Sequence, residues 1–288
     1  MFQGSSSLWW WESCVNNIMV DFLKTRPRAD HASNIAALIA YELAEEVGIP
    51  AYIYDAISVN ELSELAQISG LPHIRRCGIS HVLNQRAMTR KYAQTQNRDY
   101  ADLTLIIAHL GGGITMSVHH RGKIIDVLFD DEGPFTPERA GKLPCAPLIE
   151  MCYSEQCDYQ TALKLLRGQG GLVAYLGTNN TLEVEKRIAQ GDQQALLIYQ
   201  AMAYQIAKGI GELATVVNGQ VDAIILTGGI AHSQLLTGWI ADRVKFIAKV
   251  VVMPGENELE ALALGVLRVL RGEEEAHEFQ IEETDLNS

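Results

Sequence analysis

Two short apolar stretches in this chain run into glycine clusters, and such clusters can hold a phosphate without help from any side chain. Leu105-Ile106-Ile107-Ala108-His109-Leu110 leads into Gly111-Gly112-Gly113, and Val221-Asp222-Ala223-Ile224-Ile225-Leu226 leads into Thr227-Gly228-Gly229-Ile230-Ala231. Backbone without Cβ atoms approaches a phosphate or an adenosine closely and points its N–H groups at it. Glycine after a strand is also ordinary turn chemistry, so one cluster alone says little. Two in one chain suggest a nucleotide held between two lobes. A third position with chemical capacity is Asp55, placed at the carboxyl end of the short strand Ala51-Tyr52-Ile53-Tyr54. Site residues are often displayed at such strand ends in α/β proteins, although a plain turn aspartate fits there too.

The chain has 288 residues, and roughly 100–200 residues per domain makes two domains the expectation. Hydrophobic residues make up 48%, enough for packed cores. A net charge of -12 and a pI near 5.1 argue against nonspecific nucleic-acid binding. An anionic metabolite can still bind where arginines, metals and N–H groups are concentrated locally. No apolar run reaches the ~20 residues that cross a bilayer. The first residues lack a basic region and are interrupted by Glu12, which makes a poor signal peptide. The five cysteines (Cys14, Cys77, Cys145, Cys152, Cys157) form no paired CxxC arrangement. Reduced thiols in the cytoplasm are therefore expected, rather than a metal on Cys152 and Cys157.

The elements that position these residues follow from periodicity. Residues 34–47 read as a helix with Ile35, Leu38, Ile39, Leu43 and Val47 on one face, ended by Gly48 and Pro50. Further helices are expected at 60–68 and 79–92, and Asn97-Arg98-Asp99 marks the expected boundary between lobes. Leu103–Leu110, Ile114–His119 and Lys123–Phe129 read as strands, the last two joined by a turn at Arg121-Gly122. His119 and His120 are expected to be solvated at that hairpin. A proline-bearing loop from Gly133 to Arg139 follows, then several helices. The longest, 192–217, is apolar over much of its circumference and should be buried between layers. The 221–226 strand, a helix at 234–246, a strand at 250–253 and a helix at 258–270 complete the alternation. Glu273-Glu274-Glu275 reads as a solvated helix end. The pattern is that of a mixed α/β layer architecture, divided as 1–97, 98–255 and a terminal helix with acidic tail at 256–288.

Several segments resemble the butyrate kinases, within the acetate and propionate kinase group. They include Asp30-His31-Ala32-Ser33-Asn34, Ile68-Ser69-Gly70-Leu71-Pro72, His81-Val82-Leu83-Asn84-Gln85 and Ala108-His109-Leu110-Gly111-Gly112-Gly113-Ile114. Asp131-Glu132-Gly133-Pro134-Phe135, Pro137-Glu138-Arg139-Ala140-Gly141, the run Gly170 to Thr178, Leu226-Thr227-Gly228-Gly229-Ile230-Ala231 and Pro254-Gly255-Glu256 continue the match in the same order. The resemblance covers about Val15 to Glu275. It implies a two-domain, actin-like (ribonuclease-H-like) α/β ATPase fold with ATP in the cleft between domains. Family members open with a strand hairpin carrying an Asn-x-Gly-Ser-x-Ser-x-Lys phosphate loop, followed later by an arginine; neither stands here. The first domain is therefore expected to be truncated at its amino terminus. Trp9-Trp10-Trp11, read one base later, would encode the glycine pair usual near that point in the family, so a shifted or misplaced gene start is expected.

The reaction implied moves the γ-phosphoryl of ATP onto a short-chain carboxylate (butanoate), giving an acyl phosphate and ADP. Such an acid is ionised at pH 7, so the work is alignment and charge neutralisation rather than general-base catalysis. By resemblance, Arg139 stabilises the transferring phosphoryl group, unless it is a surface arginine after a proline turn. His81 donates to phosphoryl oxygens, or merely starts a helix. His31 lies near the acyl phosphate, or caps the next helix. Asp55 orients the nucleophile or holds a metal-bound water. Gly111, Gly112 and Gly113 face the β- and γ-phosphates, Gly228, Gly229 and Ile230 lie against adenosine, and His109 supports its own turn. Mg²⁺ prefers oxygen ligands and keeps several waters, so Glu256, with Glu258 close behind, is the candidate for contact with it. Acyl-chain choice would rest on apolar volume, where one methylene discriminates by only about 1–3 kcal/mol. The resemblance further implies a cytoplasmic homo-oligomer with no membrane partner. Impaired activity is expected of the truncated chain; the alternative is a catalytically inactive nucleotide-binding remnant. A sugar kinase or chaperone-type ATPase would share the glycine turns but not the His31 and Arg139 segments.

Overall fold

The computed structural model describes residues 12–25, 32–57, 59–154 and 157–279. In chain order the elements are β1 (Glu12–Cys14), α1 (Asn17–Thr25), α2 (Ala32–Val47), β2 (Tyr52–Tyr54), α3 (Val82–Thr95), β3 (Thr104–Leu110), β4 (Ile114–His120) and β5 (Lys123–Leu128). There follow α4 (Cys145–Cys152), α5 (Tyr159–Leu166), α6 (Gly171–Leu176), α7 (Thr181–Ala189), α8 (Gln193–Val216), β6 (Ala223–Gly228), α9 (Gln234–Val244), β7 (Lys249–Pro254), α10 (Glu258–Leu270) and β8 (His277–Glu278). They form two compact units, one ending at Ala87 and resumed from Asn257, the other spanning Met88–Glu256. The division falls inside α3, upstream of the 97–99 segment where the sequence placed it. The second half of α3 belongs with the later sheet: Thr89 is fully buried and its hydroxyl lies 3.4 Å from His119 Nδ1.

The larger unit is organised by a mixed sheet of order β5-β4-β3-β6-β7. The 103–129 stretch forms the antiparallel meander expected of its consecutive strands and the Arg121-Gly122 turn. β6 then adds in parallel beside β3, with Leu105 opposite Ala223 and His109 opposite Thr227, and β7 pairs in parallel with β6. A helical crossover between β5 and β6 delivers α8, whose start is capped by the Asp192 carboxylate accepting from the Ala195 amide. Ala195, Tyr199, Met202, Ala203, Ile206, Ile210 and Leu213 of α8 are buried in one core with Ile106, Met116, Ile224 and Leu226. Gly209 lies against the sheet, where a Cβ would press on the ends of the Met116 and Leu128 side chains.

His119 departs from the expectation of a solvated hairpin histidine. It is fully buried, hydrogen-bonded to Tyr100 Oη at 2.7 Å and Ser117 Oγ at 2.9 Å. It shares a strand face with Thr115 and Ser117, and that face is covered by Thr89 of α3 and by Tyr100; the bulge in this region lies on β5, where Ile125 is the extra residue. His120 is half-buried and meets Thr104 Oγ1 at 2.8 Å.

In the smaller unit β1 lies between β2, antiparallel, and β8, parallel. The expected helix at 60–68 is only a turn over residues 64–67. Local side chains compete with the helical ladder there: Ser63 Oγ accepts from the Ala66 amide and Gln67 donates to the Leu62 carbonyl. Helix α2 forms, but Ile35, Ile39, Leu43 and Val47 are exposed. It packs instead through Ala37, Leu38 and Tyr41 against Met19, Val20 and Phe22 of α1. The small alanine permits that approach, and Tyr41 Oη donates to Asn17 Oδ1 at 2.7 Å. Glu274 is not simply solvated: it accepts from Tyr54 Oη at 2.9 Å and pairs with Arg268 Nε at 3.0 Å.

Candidate active site

The two glycine turns of the larger unit stand side by side. β3 and β6 are parallel neighbours, and both turns leave their carboxyl ends, where open α/β sheets display ligand-binding loops. The contact is tight enough to require glycine: Gly228 has φ +89°, and a Cβ on it would lie 2.5 Å from the Leu110 carbonyl oxygen. Gly111–Gly113 is the loop between β3 and β4, since Leu110 and Ile114 are paired across it. Its amides are not equivalent. The Gly111 N–H is spent on the Gly113 carbonyl at 3.1 Å, whereas Gly112 is exposed and Gly113 half-buried. Gly228 likewise donates to Gly255 at 3.2 Å. This leaves Gly229, exposed, and Ile230, half-buried, at the start of a short 3-10 turn. His109 is buried beneath the first turn, with Nε2 3.0 Å from where a Gly111 Cβ would stand.

Arg139 is brought to the first turn. A Cβ on Gly113 would meet its NH1 at 2.7 Å and its Cζ at 2.8 Å, so the guanidinium lies directly on that glycine. The Arg139 Cζ also sits 5.8 Å from the Phe129 ring centroid. Thr136, fully buried, makes the connection: its hydroxyl donates to the Gly112 carbonyl at 2.7 Å and accepts from the amides of Glu138 and Arg139. The 166–172 segment braces the same loop. Gly168 and Gly170 donate to the Glu138 carbonyl, Leu172 donates to that of Thr136, and residues 139 and 167 pair as an antiparallel bridge. Asp130, 6% exposed, accepts from Arg139 NH1 and pairs with Arg167 Nε at 2.8 Å. Burial pushes the Asp130 carboxyl above its ordinary range; the two arginines pull it down and Asp131 pushes it further up. Glu138, whose Oε1 accepts from Asn179, lies 4.0 Å from a Cβ placed on Gly112.

Glu256 is exposed, with Oε1 3.9 Å from a Cβ placed on Gly229. Among the described residues no three His, Cys, Asp or Glu side chains gather into a metal cage. A nucleotide-bound Mg²⁺ fits this donor set nonetheless, since it commonly uses one or two carboxylates, phosphate oxygens and water.

In the smaller unit Asp55 follows β2 with φ +49° and is 4% exposed. Arg86, on α3 and 1% exposed, places Nε 3.3 Å from Asp55 Oδ1 and donates through NH2 to Glu61 Oε2 at 2.8 Å. His81 immediately precedes α3, its carbonyl accepting from the Gln85 amide. His31 lies outside the described residues. The sequence reading missed Thr136, Asp130, Arg167 and Arg86. None carried a signal in its local sequence: Arg86, for one, stands among Asn84, Gln85, Thr89 and Arg90 and reads as an ordinary polar helix position.

Comparison with known proteins places the chain in a family. Residues 61–247 match the Acetokinase family. The chain is 47% identical over 268 residues to Butyrate kinase 2 of Clostridium acetobutylicum, spanning 92% of this chain and 75% of that one. The fold matches that of Porphyromonas gingivalis acetate kinase with a TM-score of 0.78 at 20% identity, over 89% of this chain and 74% of that one. A propionate kinase from Francisella tularensis gives 0.73 at 19% identity, over 87% and 73%. The chain belongs to the acetokinase family and has its two-domain, actin-like α/β fold. It is thereby an ATP-dependent carboxylate kinase, a transferase with a carboxyl group as acceptor.

Proposed function

We propose that this chain transfers the γ-phosphoryl group of ATP to a short-chain carboxylate, with butanoate as the substrate. The supporting observation is the Arg139 guanidinium seated on Gly113, beside a second glycine turn on the adjoining parallel strand. A carboxylate oxygen attacks the γ-phosphorus in line, the bond to the β,γ-bridging oxygen breaks, and acyl phosphate and ADP separate. The acid is already ionised at pH 7, with a pKa near the roughly 4.3 of a glutamate, so no base need remove a proton. What remains is to align two anions and to neutralise charge spread over the phosphoryl oxygens.

The Gly112 and Gly113 amides cradle the β- and γ-phosphates, and Arg139 meets the oxygens of the transferring group. Gly229 and Ile230 take the adenosine, with Gly228 supplying the close turn beneath. Glu256 would hold Mg²⁺ through water, and that ion supplies charge neutralisation on the phosphates. His81 serves as a donor to phosphoryl oxygens, His31 lies by the acyl phosphate, and Asp55, fixed by Arg86, orients the attacking acid.

ATP-dependent formation of acyl hydroxamate from butanoate and hydroxylamine tests this reading. Product that tracks enzyme and ATP is expected. Protein that binds ATP but gives no product with acids of two to five carbons would refute it.

A further inference from the structure

Arg167 has no part in the roles above, yet it stands beside Arg139. Its backbone pairs antiparallel with that of Arg139, so the two side chains leave neighbouring positions. Two adjacent guanidiniums repel, and here one buried carboxylate answers both: Asp130 meets Arg139 on Oδ1 and Arg167 on Oδ2. The three groups together keep one net positive charge. The Arg139 side chain is 28% exposed and that of Arg167 59% exposed, and Arg167 is engaged through Nε. Its NH1–NH2 edge, the fork that suits a phosphate, is therefore open to a ligand. Bracing a loop would need one arginine and one acid. A second arginine on the same acid, beside a turn already reading as a phosphate cradle, points to a dispersed anionic charge.

We infer that Arg167 is a second phosphate-binding cation of this site, and that Asp130 is the positioning residue that holds Arg139 and Arg167 side by side. The inference rests on the carboxylate-kinase reading, which supplies the triphosphate. Two forks can grip oxygens of different phosphoryl groups, and the Asp130 carboxylate fixes their spacing before the ligand arrives. The cost of burying that carboxylate falls on the empty protein, in line with the upward push on its proton affinity.

Calorimetric titration with ATP, and with adenosine as a probe lacking phosphate, tests the inference on the full chain. Wild-type protein is expected to bind ATP more tightly than adenosine. Arg167→Gln should weaken ATP about 10- to 100-fold, the range for a charged hydrogen bond, and leave adenosine binding unchanged. Arg167→Lys, which keeps the charge without the fork, should recover part of the loss. Asp130→Asn should keep ATP affinity at or above the wild-type value while slowing turnover, because both arginines stay charged but lose their alignment. Wild-type binding of ATP no tighter than adenosine would overturn the inference, as would Arg167→Gln binding ATP like wild type. Equal weakening by Asp130→Asn and Arg167→Gln, with equal loss of thermal stability, would reduce the trio to a brace for the loop. Hydroxamate formation judges the underlying reading separately: protein that binds ATP through Arg167 but forms no acyl phosphate would refute the kinase and leave the second cation standing.

Discussion

At the scale of single residues, the account turns on a guanidinium and the glycine under it. Arg139→Gln is expected to lower kcat by about 10³-fold or more, the range seen when an arginine is lost at a transferring phosphoryl group. Steady-state rates with saturating ATP check this, and a loss confined to KM would contradict it. Gly113→Ala makes the complementary test. The new methyl would stand 2.7 Å from Arg139 NH1, the far end of a flexible side chain. The guanidinium should move by about an ångström, at a cost of about 10²-fold in rate, with the urea midpoint nearly unchanged. The two glycine turns were legible in the sequence as clusters that end apolar runs, and Arg139 through the family resemblance; that its guanidinium lies on Gly113 was not. Asp130 and Arg167 were not. They lie 37 positions apart in number, and only the pairing of residues 139 and 167 brings them together.

At the scale of elements, the order β3–turn–β4 and β6–turn–α9–β7 places both turns at one end of one sheet, and Gly228 packs on the Leu110 backbone. Gly228→Ala meets a backbone carbonyl rather than a movable side chain. It should cost about 1–3 kcal/mol of stability, read as a lower urea midpoint, and abolish adenosine binding. Helix α8 carries a pH signature. The Asp192 carboxyl is held below its ordinary value of 3.8 first by the Ala195 amide and then by Arg187. A depressed folded pKa means that the stabilisation is present above 3.8 and is lost as the pH falls through the lower folded value. Asp192→Asn keeps a cap oxygen but cannot titrate. Its thermal midpoint should therefore fall less than that of wild type as pH drops below 4, and parallel acid limbs would contradict this. The strands were readable as short apolar runs ended by turn residues, and α8 from its apolar circumference. The burial of His119 was not, because it depends on Thr89 and Tyr100 covering the second face of β4, which the strand's own residues do not announce.

At the scale of the whole molecule, the larger unit holds an extensive apolar core, where α8 packs on the five-stranded sheet. Met202→Ala, at a fully buried site in that core, should cost about 2–5 kcal/mol. Leu43→Glu, on the exposed stripe of α2, should change stability by less than about 0.5 kcal/mol. Chemical denaturation of both variants checks the pair, and a large cost at Leu43 would mean that this stripe is covered in solution. The α2 periodicity told truly that a helix forms. It could not tell which side faces the partner helix, because Ala37 gives a closer approach than the branched residues beside it.

The most direct test of the central claim is the response of backbone amide resonances to ligand. Titration with ATP should shift Gly112 and Gly113 together with Gly229 and Ile230. Adenosine should shift Gly229 and Ile230 and leave Gly112 and Gly113 in place. Silence at Gly112 and Gly113 with ATP bound would contradict a phosphate cradle at that turn.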